Sequence, residues 1–447
     1  MLQELFSIQN RLAAFISRDF QRSMYQHINW NKRLITIVGA RGTGKTTLVL
    51  QHYLTQYNDI NKCLYISADN PLVLKSGIYK IAQEYFKYYG NCLIVDEVHK
   101  HKDWSVDIKA LYDAYPDKQF IILGSSVLNI LFEKGDLSRR AIIYKLYPLS
   151  FREFLHLWHG KQSEIITISQ LLENHVQTAS KIMQIYPQIL KDFKLYLECG
   201  SYPYILDQSP EEYFNVLSNT LDKVIYEDIT TIKALKMFSA SKLKSLLAYI
   251  ATSKIPLFNI ENIRNNLEIS RDTIYDYFNL LKRAEIIQII PTISKKVRAM
   301  KHSKILFSSP NIYYAIAHEM WKNGETGNVR ESFFASQLSP NYPVFSSMQT
   351  DFIVMHKDNP VEIEVGGRNK KKNRSRTFNL PVFLKMELKQ VMPMSCHCIL
   401  QVSCIDNYKG FKPWQYQKLF RRKCLLVPKV QVLLSVTLDY QAPQKSI

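Results

Sequence analysis

The sequence predicts an α/β protein in which a parallel-sheet domain is followed by a helical segment, a three-helix unit and a small second α/β domain. The first observation is RLITIVGARGTGKTTLVLQHYL, residues 33–54, where an apolar strand enters a glycine-rich loop and a helical pattern follows. The second is NCLIVDEVHKH, residues 91–101, where another apolar strand ends in two acids. The third is size, because 447 residues with 46% apolar side chains suffice for about two to four domains with buried cores.

The glycine-rich loop has the spacing of a P-loop, with a glycine, four further residues, and then Gly-Lys-Thr. Glycines let backbone N–H groups surround phosphate oxygens, and the positive end of the helix that follows favours their charge. We expect Lys45 to reach the β- and γ-phosphates of ATP and the Thr46 hydroxyl to bind Mg²⁺. The predicted nucleotide-contacting residues are Gly39, Ala40, Arg41, Gly42, Thr43, Gly44, Lys45, Thr46 and Thr47.

Asp96 and Glu97 lie at the C-terminal end of the second buried strand, which begins at Cys92. We expect Asp96 to hold the Mg²⁺ through water and Glu97 to polarise the water that attacks the γ-phosphate. An apolar strand that ends in two acids is weak evidence by itself. It becomes strong evidence at this distance behind a P-loop, because both elements then meet at one edge of the sheet.

Two further elements supply candidate catalytic residues. FIILGSSVLNIL, residues 120–131, reads as a third buried strand that ends at Ser125 and Ser126, either of which would sense the γ-phosphate. An ordinary helix cap is the competing interpretation of these serines. Arg139 and Arg140 follow a loop and precede another strand-like run. One of them would stabilise the charge of the transition state, in this chain or on a neighbour's nucleotide, and surface arginines are the alternative.

These four elements, followed by PLSFREF at residues 148–154, resemble AAA+ ATPases of bacteria and archaea. Those proteins join a P-loop domain to a winged helix and a C-terminal domain that is similar to restriction endonucleases. The resemblance covers about residues 1–372. It implies that Lys45, Thr46, Asp96 and Glu97 are the Walker residues, that a serine at 125 or 126 is the sensor, and that the LSRR arginines occupy the finger position.

The middle of the chain divides at about residue 233. Residues 1–150 form the predicted AAA+-like ATPase domain, and residues 151–232 read as helices that would serve as a lid or linker over the nucleotide. Residues 233–298 contain three helical patterns and a strand, which predicts a winged helix. Ser270 is a good N-cap for the third helix, whose buried face would consist of Ile274, Tyr277, Phe278 and Leu281.

The exposed face of this third helix would enter the major groove if the winged helix binds DNA. The residues on that face are Arg271, Thr273, Tyr275 and Lys282. Asp272 and Asp276 lie on the same helix and weaken the case for DNA. A packing module without nucleic acid is the alternative, and a protein partner is the alternative to DNA.

Residues 299–373 form the predicted endonuclease-like domain. Glu331 lies near the start of a helix, and QTDFIVMHKDNPVEIEV reads as a hairpin with Asp351 on its first strand and Glu364 on its second. Two carboxylates around a divalent metal, with a lysine two residues after the last acid, are what PD-(D/E)xK cleavage needs. The lysine position holds Gly366, so we predict a degenerate domain, and an ATP-gated DNA nuclease is the alternative function.

The segment after residue 373 differs in character. Residues 374–447 hold 12 lysines and arginines against three acids, together with four of the seven cysteines. A lysine run such as NKKKN, residues 369–373, is usually encoded by many adenines, where a base is easily gained or lost. Read one base out of register, residues 383–400 allow FKDGIEAGYANVMPLYL, which resembles the closing segment of the family. We predict a shifted reading frame near Asn373 and a disordered basic tail, with a genuine nucleic-acid-binding tail as the alternative.

The composition of the whole chain fits a cytoplasmic protein, and the resemblance implies a prokaryotic ATPase. The net charge of +19 favours polyanionic partners. No apolar run is long enough to cross a bilayer, the N-terminus has no signal pattern, and the cysteines are scattered as in a reduced protein. We therefore predict an ATP- and Mg²⁺-dependent switch or motor that acts on a nucleic-acid or protein partner, with assembly into oligomers left open.

Overall fold

A computed structural model gives the fold of the chain. It describes residues 1–57, 59–125, 136–232, 237–253, 260–293, 303–320, 326–347, 349–357, 359–367, 382–389 and 397–404. Ser126, one of the two sensor candidates, lies outside the described residues. Among the described residues, no helix is both long enough and apolar enough to cross a membrane.

Five described strands of the first domain form a parallel sheet in the order β2-β3-β4-β1-β5. The strands are β1 (Leu34–Val38), β2 (Cys63–Ser67), β3 (Cys92–Asp96), β4 (Gln119–Gly124) and β5 (Ile142–Lys145). The helices around them are α1 (Leu2–Ala14), α2 (Lys45–Gln56), α3 (Pro71–Ser76), α4 (Ile78–Tyr88) and α5 (Trp104–Ala114). The three strands predicted at residues 34–38, 92–95 and around 120–124 are confirmed.

Strands β1 to β4 of this sheet are buried on both faces. Successive residues of β1 alternate between two hydrophobic clusters, with Leu34 and Val38 in one and Ile35 and Ile37 in the other. This explains why the strand reads as an unbroken apolar run, since a parallel sheet covered by helices has no polar face. The P-loop follows β1 directly, so it lies at the carboxyl edge of the sheet, where β3 also ends.

The segment that follows is helical. Its elements are α6 (Phe151–His159), α7 (Ile168–Ile185), α8 (Ile189–Cys199), α9 (Pro210–Lys223), a π-helical turn (Val224–Asp228) and α10 (Ile229–Ile232). Ser150 caps α6 through a complete capping box with Glu153. The predicted helical segment 151–232 is therefore helical over most of its length.

Three helices and a two-stranded antiparallel sheet come next. They are α11 (Met237–Thr252), α12 (Ile260–Leu267), α13 (Arg271–Arg283), β6 (Ile287–Ile290) and β7 (Lys304–Phe307). The Ser270 hydroxyl accepts a hydrogen bond from the Thr273 N–H at the start of α13. The predicted buried face of α13 is confirmed, with Ile274, Tyr277, Phe278 and Leu281 all buried.

The C-terminal part contains two helices and a mixed sheet in the order β12-β11-β10-β9-β8. Its elements are α14 (Pro310–Glu319), α15 (Thr326–Leu338), β8 (Val344–Ser346), β9 (Phe352–His356), β10 (Asn359–Gly367), β11 (Val382–Lys389) and β12 (His397–Cys404). The predicted hairpin is confirmed, because β9 pairs antiparallel with β10 and Phe352 lies opposite Ile363.

The structure differs from the expectation of disorder in residues 374–447 at two places. Strand β11 runs parallel to β10, and β12 runs antiparallel to β11. Apolar residues alternate with charged ones along β11 from Leu384 to Lys389, and this alternation is typical of a strand. The high content of lysine and cysteine had obscured this pattern in the sequence.

The segments after residue 150 are not separated into independent cores. One cluster of buried apolar residues extends from Phe151 to Val365. Buried Asn311 ties its parts together, because its side-chain amide donates to the carbonyls of Tyr196 and Leu197, each at 2.8 Å, and accepts from the Ser201 N–H at 2.7 Å. The boundaries predicted at residues 233 and 299 thus divide elements that share one core. The shared core was not visible in the sequence, because periodicity shows which face of a helix is buried but not which element it packs against.

Candidate active site

The P-loop adopts the conformation that its glycines allow. Gly42 and Gly44 have φ values of 80° and 90°, which side chains with a Cβ rarely adopt. A Cβ on Gly42 would lie 2.9 Å from the Tyr204 ring, so the turn of the helical segment packs directly on the loop. Residues 151–232 therefore contact the nucleotide loop on the side of Gly42.

Lys45 begins α2 with its side chain inside the loop. Its Nζ donates to the carbonyl oxygens of Gly39 at 2.9 Å and Ala40 at 3.0 Å. Burial lowers the pKa of Lys45 below its ordinary value, and the attraction of Glu97 and Asp96 offsets part of that effect. A buried ammonium held by two neutral carbonyls gains strongly from an anion, and a phosphate is the anion that this loop geometry accommodates.

The hydroxyl of Thr46 lies against the end of β3. Its Oγ1 donates to Oδ2 of Asp96 at 2.5 Å, and the same carboxylate oxygen accepts from the buried Tyr65 hydroxyl at 2.9 Å. Burial raises the pKa of Tyr65 far above its usual range, so this phenol remains a donor. Hydroxyl and carboxylate oxygens side by side, next to a phosphate loop, form the donor set that Mg²⁺ prefers.

Glu97 stands directly beyond β3 in a left-handed backbone conformation with φ 47°. Its N–H donates to Oδ1 of Asp96 at 2.7 Å, which holds the two acids at the same turn. Its carboxylate is about one quarter exposed, with Oε1 3.4 Å from Nη1 of Arg41. A partly exposed carboxylate beside the P-loop is able to accept a proton from a water molecule there.

The remaining predicted P-loop residues have structural places. Thr43 donates from Oγ1 to the Ala40 carbonyl at 2.9 Å and accepts from Arg22 at its own carbonyl at 2.6 Å. Thr47 is exposed on the first turn of α2. Arg41 turns away from the loop and forms two hydrogen bonds with the carboxylate of Asp228 in the helical segment.

The predicted sensor serine and the two predicted arginine-finger residues lie in different parts of the first domain. Ser125 is buried at the carboxyl end of β4, and its hydroxyl makes no hydrogen bond to another described residue. Arg139 is exposed. Arg140 pairs with Asp113 at 3.2 Å near the end of α5, which is the opposite edge of the sheet from the P-loop. Ser125 is therefore near the strand end as predicted, whereas Arg140 does not reach this chain's own nucleotide loop.

Two of the three acids of the second candidate site pair with a lysine that the sequence analysis did not assign. Lys304 of β7 places Nζ 2.7 Å from Glu331 and 3.6 Å from Asp351. Asp351 also accepts from the Val365 N–H at 2.6 Å, and Glu364 lies on β10 opposite Lys385. No group of three or more metal-ligating side chains occurs among the residues that the structure describes. Lys304 thus supplies the positive charge between two of the acids.

Sequence reasoning missed three residues that shape the first site. The Tyr65 hydroxyl lies close to Asp96 because β2 and β3 pair in parallel. The sequence of one strand does not show how that strand is aligned with its neighbour. The sequence did contain a sign that Asp228 is buried. This acid directly precedes Ile229 and follows Ile225 by three residues, so it lies on a helix face that is otherwise apolar. His99 follows Glu97 by two residues and is buried beside it.

Two family models match the chain. Residues 31–155 match a model described as an AAA domain, and residues 190–320 match one described as a domain of unknown function, DUF8612. The first match and the five-stranded parallel sheet confirm the predicted AAA+-like α/β domain in that general form. The AAA match also implies that this domain binds ATP.

Three curated proteins are similar to the chain. Uncharacterized protein MJ1637 of Methanocaldococcus jannaschii is 33% identical over 307 residues, which cover 65% of this chain and 64% of that protein. Uncharacterized protein MJ1544 of the same organism is 22% identical, with 80% and 76% covered. An uncharacterized protein of Haemophilus influenzae is 25% identical, with 56% and 60% covered. The chain thus spans less than two thirds of the length of the first of these relatives.

Solved structures are similar to the chain at a low level. The Aeropyrum pernix ORC1 protein in complex with DNA has a TM-score of 0.30 and 11% identity, with 70% of this chain and 91% of that chain covered. AMPPCP-bound DnaA from Aquifex aeolicus has a TM-score of 0.26 and 15% identity, with 60% and 92% covered.

Proposed function

We propose that this chain binds ATP with Mg²⁺ and hydrolyses it, as a switch or motor of the AAA+ type. One observation carries the proposal: Lys45, Thr46, Asp96 and Glu97 converge at the carboxyl edge of one parallel sheet, with Thr46 and Asp96 in direct hydrogen bond. Four residues from two separate motifs meet where phosphate, metal and water must meet. The match of residues 31–155 to the AAA domain model supports the same conclusion.

The reaction is the attack of water on the γ-phosphorus of ATP. Lys45 neutralises charge on the β- and γ-phosphate oxygens, and backbone N–H groups of the loop surround them. Thr46 and Asp96 would hold Mg²⁺, which adds positive charge at the phosphates when it is bound. Glu97 accepts the proton of the attacking water, the bond between the γ-phosphorus and the bridging oxygen breaks, and ADP and phosphate are the products.

The proposed partner is a nucleic acid or a protein that contacts residues 237–307. This unit has the composition of a winged helix, and Arg271, Lys282 and Arg283 are exposed on α13. Exposed cations along one helix favour phosphate contact. Arg139 is also exposed, which would allow it to reach the nucleotide of a second copy if the protein assembles into a ring.

DNA cleavage is the weaker function. A metal-dependent nuclease needs its acids free to bind a cation. Here the ammonium of Lys304, with a side chain only 8% exposed, already neutralises Glu331 and Asp351. We therefore assign these residues to the stability of the C-terminal domain.

The test of the proposed function is phosphate release by the wild type and by Glu97→Gln, with and without Mg²⁺. Glu97→Gln should bind ATP as tightly as the wild type and lose at least about 100-fold in turnover, because its amide cannot accept the proton. Equal turnover by both proteins would refute the assignment of Glu97. A wild type that binds ATP without any phosphate release would refute the ATPase itself.

A further inference from the structure

A polar cluster, buried at Asp228 and His99 and partly exposed at Glu97, joins the nucleotide site to the helical segment. Its members are Arg41 of the P-loop, Glu97 and His99 after β3, and Asp228 at the end of the π-helical turn. Asp228 has no exposed side-chain surface, and His99 has none either. Polar groups are rarely buried together without a reason, because each must be paired to offset the loss of water.

Within this cluster Arg41 is shared unequally by two carboxylates. Its Nε and Nη2 lie 2.9 Å and 2.8 Å from the two oxygens of Asp228, which is a bidentate pair. Its Nη1 lies 3.4 Å from Oε1 of Glu97, which is a weak contact. Bidentate pairing of arginine with a carboxylate is strong and directional, so Asp228 takes most of the hydrogen-bonding capacity of this guanidinium.

His99 lies between the same two carboxylates and is slightly closer to Glu97. Its Nε2 lies 3.3 Å from Oε2 of Glu97 and 3.6 Å from Oδ1 of Asp228. Burial disfavours the charge of Asp228, but the nearby His99 and the hydrogen bonds and charge of Arg41 outweigh it and hold the pKa of this carboxyl far below its usual range. Asp228 therefore remains a carboxylate at the centre of the cluster.

We infer that Asp228 is a positioning residue for ATP hydrolysis, which holds Arg41 away from Glu97 so that the Glu97 carboxylate stays available to the attacking water. The inference rests on the proposed function. Without Asp228, Glu97 is the carboxylate that Arg41 already touches, and the guanidinium would close on it. A glutamate whose oxygens accept hydrogen bonds from a guanidinium has fewer free lone pairs with which to hold the attacking water.

The location of Asp228 has a further consequence. It belongs to the helical segment, whose elements share one core with residues 237–365. A movement that draws the π-helical turn away from the P-loop would release Arg41 to Glu97 and slow hydrolysis. Contacts made by a partner far from the nucleotide would thus reach the catalytic acid through the ion pair of Arg41 with Asp228.

The experiment compares wild type, Asp228→Asn, and the double variant Arg41→Gln with Asp228→Asn. For each, kcat and KM are measured by phosphate release, and the Kd for ATP by binding of a fluorescent ATP analogue with competition. Asp228→Asn should lower kcat about tenfold or more, with Kd changed by less than about twofold, since only the water-activating step is affected. The double variant should recover to within about fivefold of the wild type, because no guanidinium remains to capture Glu97.

The matched control is Glu227→Gln. Glu227 is the preceding residue, is about half exposed and pairs with Lys100 at 2.9 Å, so its loss should leave kcat unchanged. If Asp228→Asn fails to fold, the double variant alone tests the inference. It should fold because neither residue of the pair is left as an unpaired buried charge. Its kcat must then lie within the fivefold range stated above.

Two results would overturn the inference while the wild type hydrolyses ATP. One is an unchanged kcat in Asp228→Asn. The other is a double variant whose kcat is as low as that of Asp228→Asn. Where only the double variant folds, a kcat outside the fivefold range has the same meaning. The loss of kcat would then come from a disturbed fold and not from Arg41. A wild type without turnover refutes the proposed function, and the inference with it, so the two failures are distinguished by the wild-type rate.

Discussion

Arg22 and Glu153, which are 131 residues apart in the sequence, form a buried ion pair with Nε and Oε1 separated by 3.0 Å. The same guanidinium donates to the Thr43 carbonyl in the P-loop at 2.6 Å. The same carboxylate accepts from the N–H groups of Ser150 and Ser23. One pair therefore fixes the N-terminal segment, the nucleotide loop and the start of α6 relative to one another.

Glu153 should make stability depend on pH in the acid range. Burial opposes its ionisation, but Arg22 and the hydrogen bonds outweigh this and lower the pKa of Glu153 from 4.5 to about 2, which corresponds to about 3 kcal/mol. Because the pKa is lower in the folded state, this stabilisation is present above about pH 5 and is lost as the pH falls towards 2. Urea unfolding at several pH values measures it.

Glu153→Gln should flatten this acid limb and lower stability at pH 7. The control is Glu173→Gln, which changes an exposed glutamate of α7. An identical loss of stability between pH 5 and 3 in the wild type and Glu153→Gln would show that Arg22 and Glu153 do not make this contribution.

Nucleotide binding should depend on Lys45. Lys45→Ala removes the buried ammonium that faces the phosphates, so titration with a fluorescent ATP analogue should detect no binding. The control Lys80→Ala removes an exposed lysine of α4 and should bind normally. Normal binding by Lys45→Ala, with an intact fold by circular dichroism, would contradict the placement of the phosphates in this loop.

The P-loop domain was largely predictable because its signals are local. An apolar run, a glycine spacing and two acids after a second run each occupy a short stretch, and the parallel sheet brings their ends together. The cluster around Asp228 was not predictable, since Arg41 and Asp228 are 187 residues apart and neither strand nor helix periodicity reports which buried face meets which. The position of Lys304 beside Glu331 was missed for the same reason.

The strands β11 and β12 show a different limit. Composition dominated the interpretation of residues 374–447, because lysines, arginines and cysteines suggest an unfolded tail. Strand formation depends instead on alternation over a few residues, and such a pattern persists inside a segment of unusual composition. The unusual composition describes the segment as a whole, whereas the alternation determines whether a few residues within it form a strand.

Lys304 should be a structural cation and not part of a nuclease. Lys304→Met leaves Glu331 and Asp351 without their common partner, which should cost about 3 kcal/mol of unfolding free energy, while Lys304→Met with Glu331→Gln should recover part of that loss. Urea unfolding measures both variants. Cleavage of duplex DNA by the wild type in Mg²⁺ or Mn²⁺, abolished by Glu331→Gln, would contradict this structural role.

DNA binding by α13 should depend on salt. If Arg271 and Lys282 contact phosphates, changing both to alanine should weaken binding to every sequence and reduce the slope of log K against log salt by about 2. The control is Lys181→Ala on α7, which is exposed on a different helix. Fluorescence anisotropy at several salt concentrations provides the slopes, and an affinity that ignores salt would point to a protein partner.

The reading frame is the last prediction, and it concerns the gene. The lysine run at residues 370–372 stands where the resemblance to the AAA+ family ends, and the composition changes immediately after it. The register-shifted reading of residues 383–400 ends in an apolar segment like the one that closes the family's domain.

We expect resequencing across the lysine codons to reveal one base gained or lost near Asn373, and the corrected protein to resist protease through its last strand. An intact frame, together with a compact protease-resistant segment beyond residue 380, would show instead that β11 and β12 belong to the native domain and that the basic charge of the tail is there to bind nucleic acid.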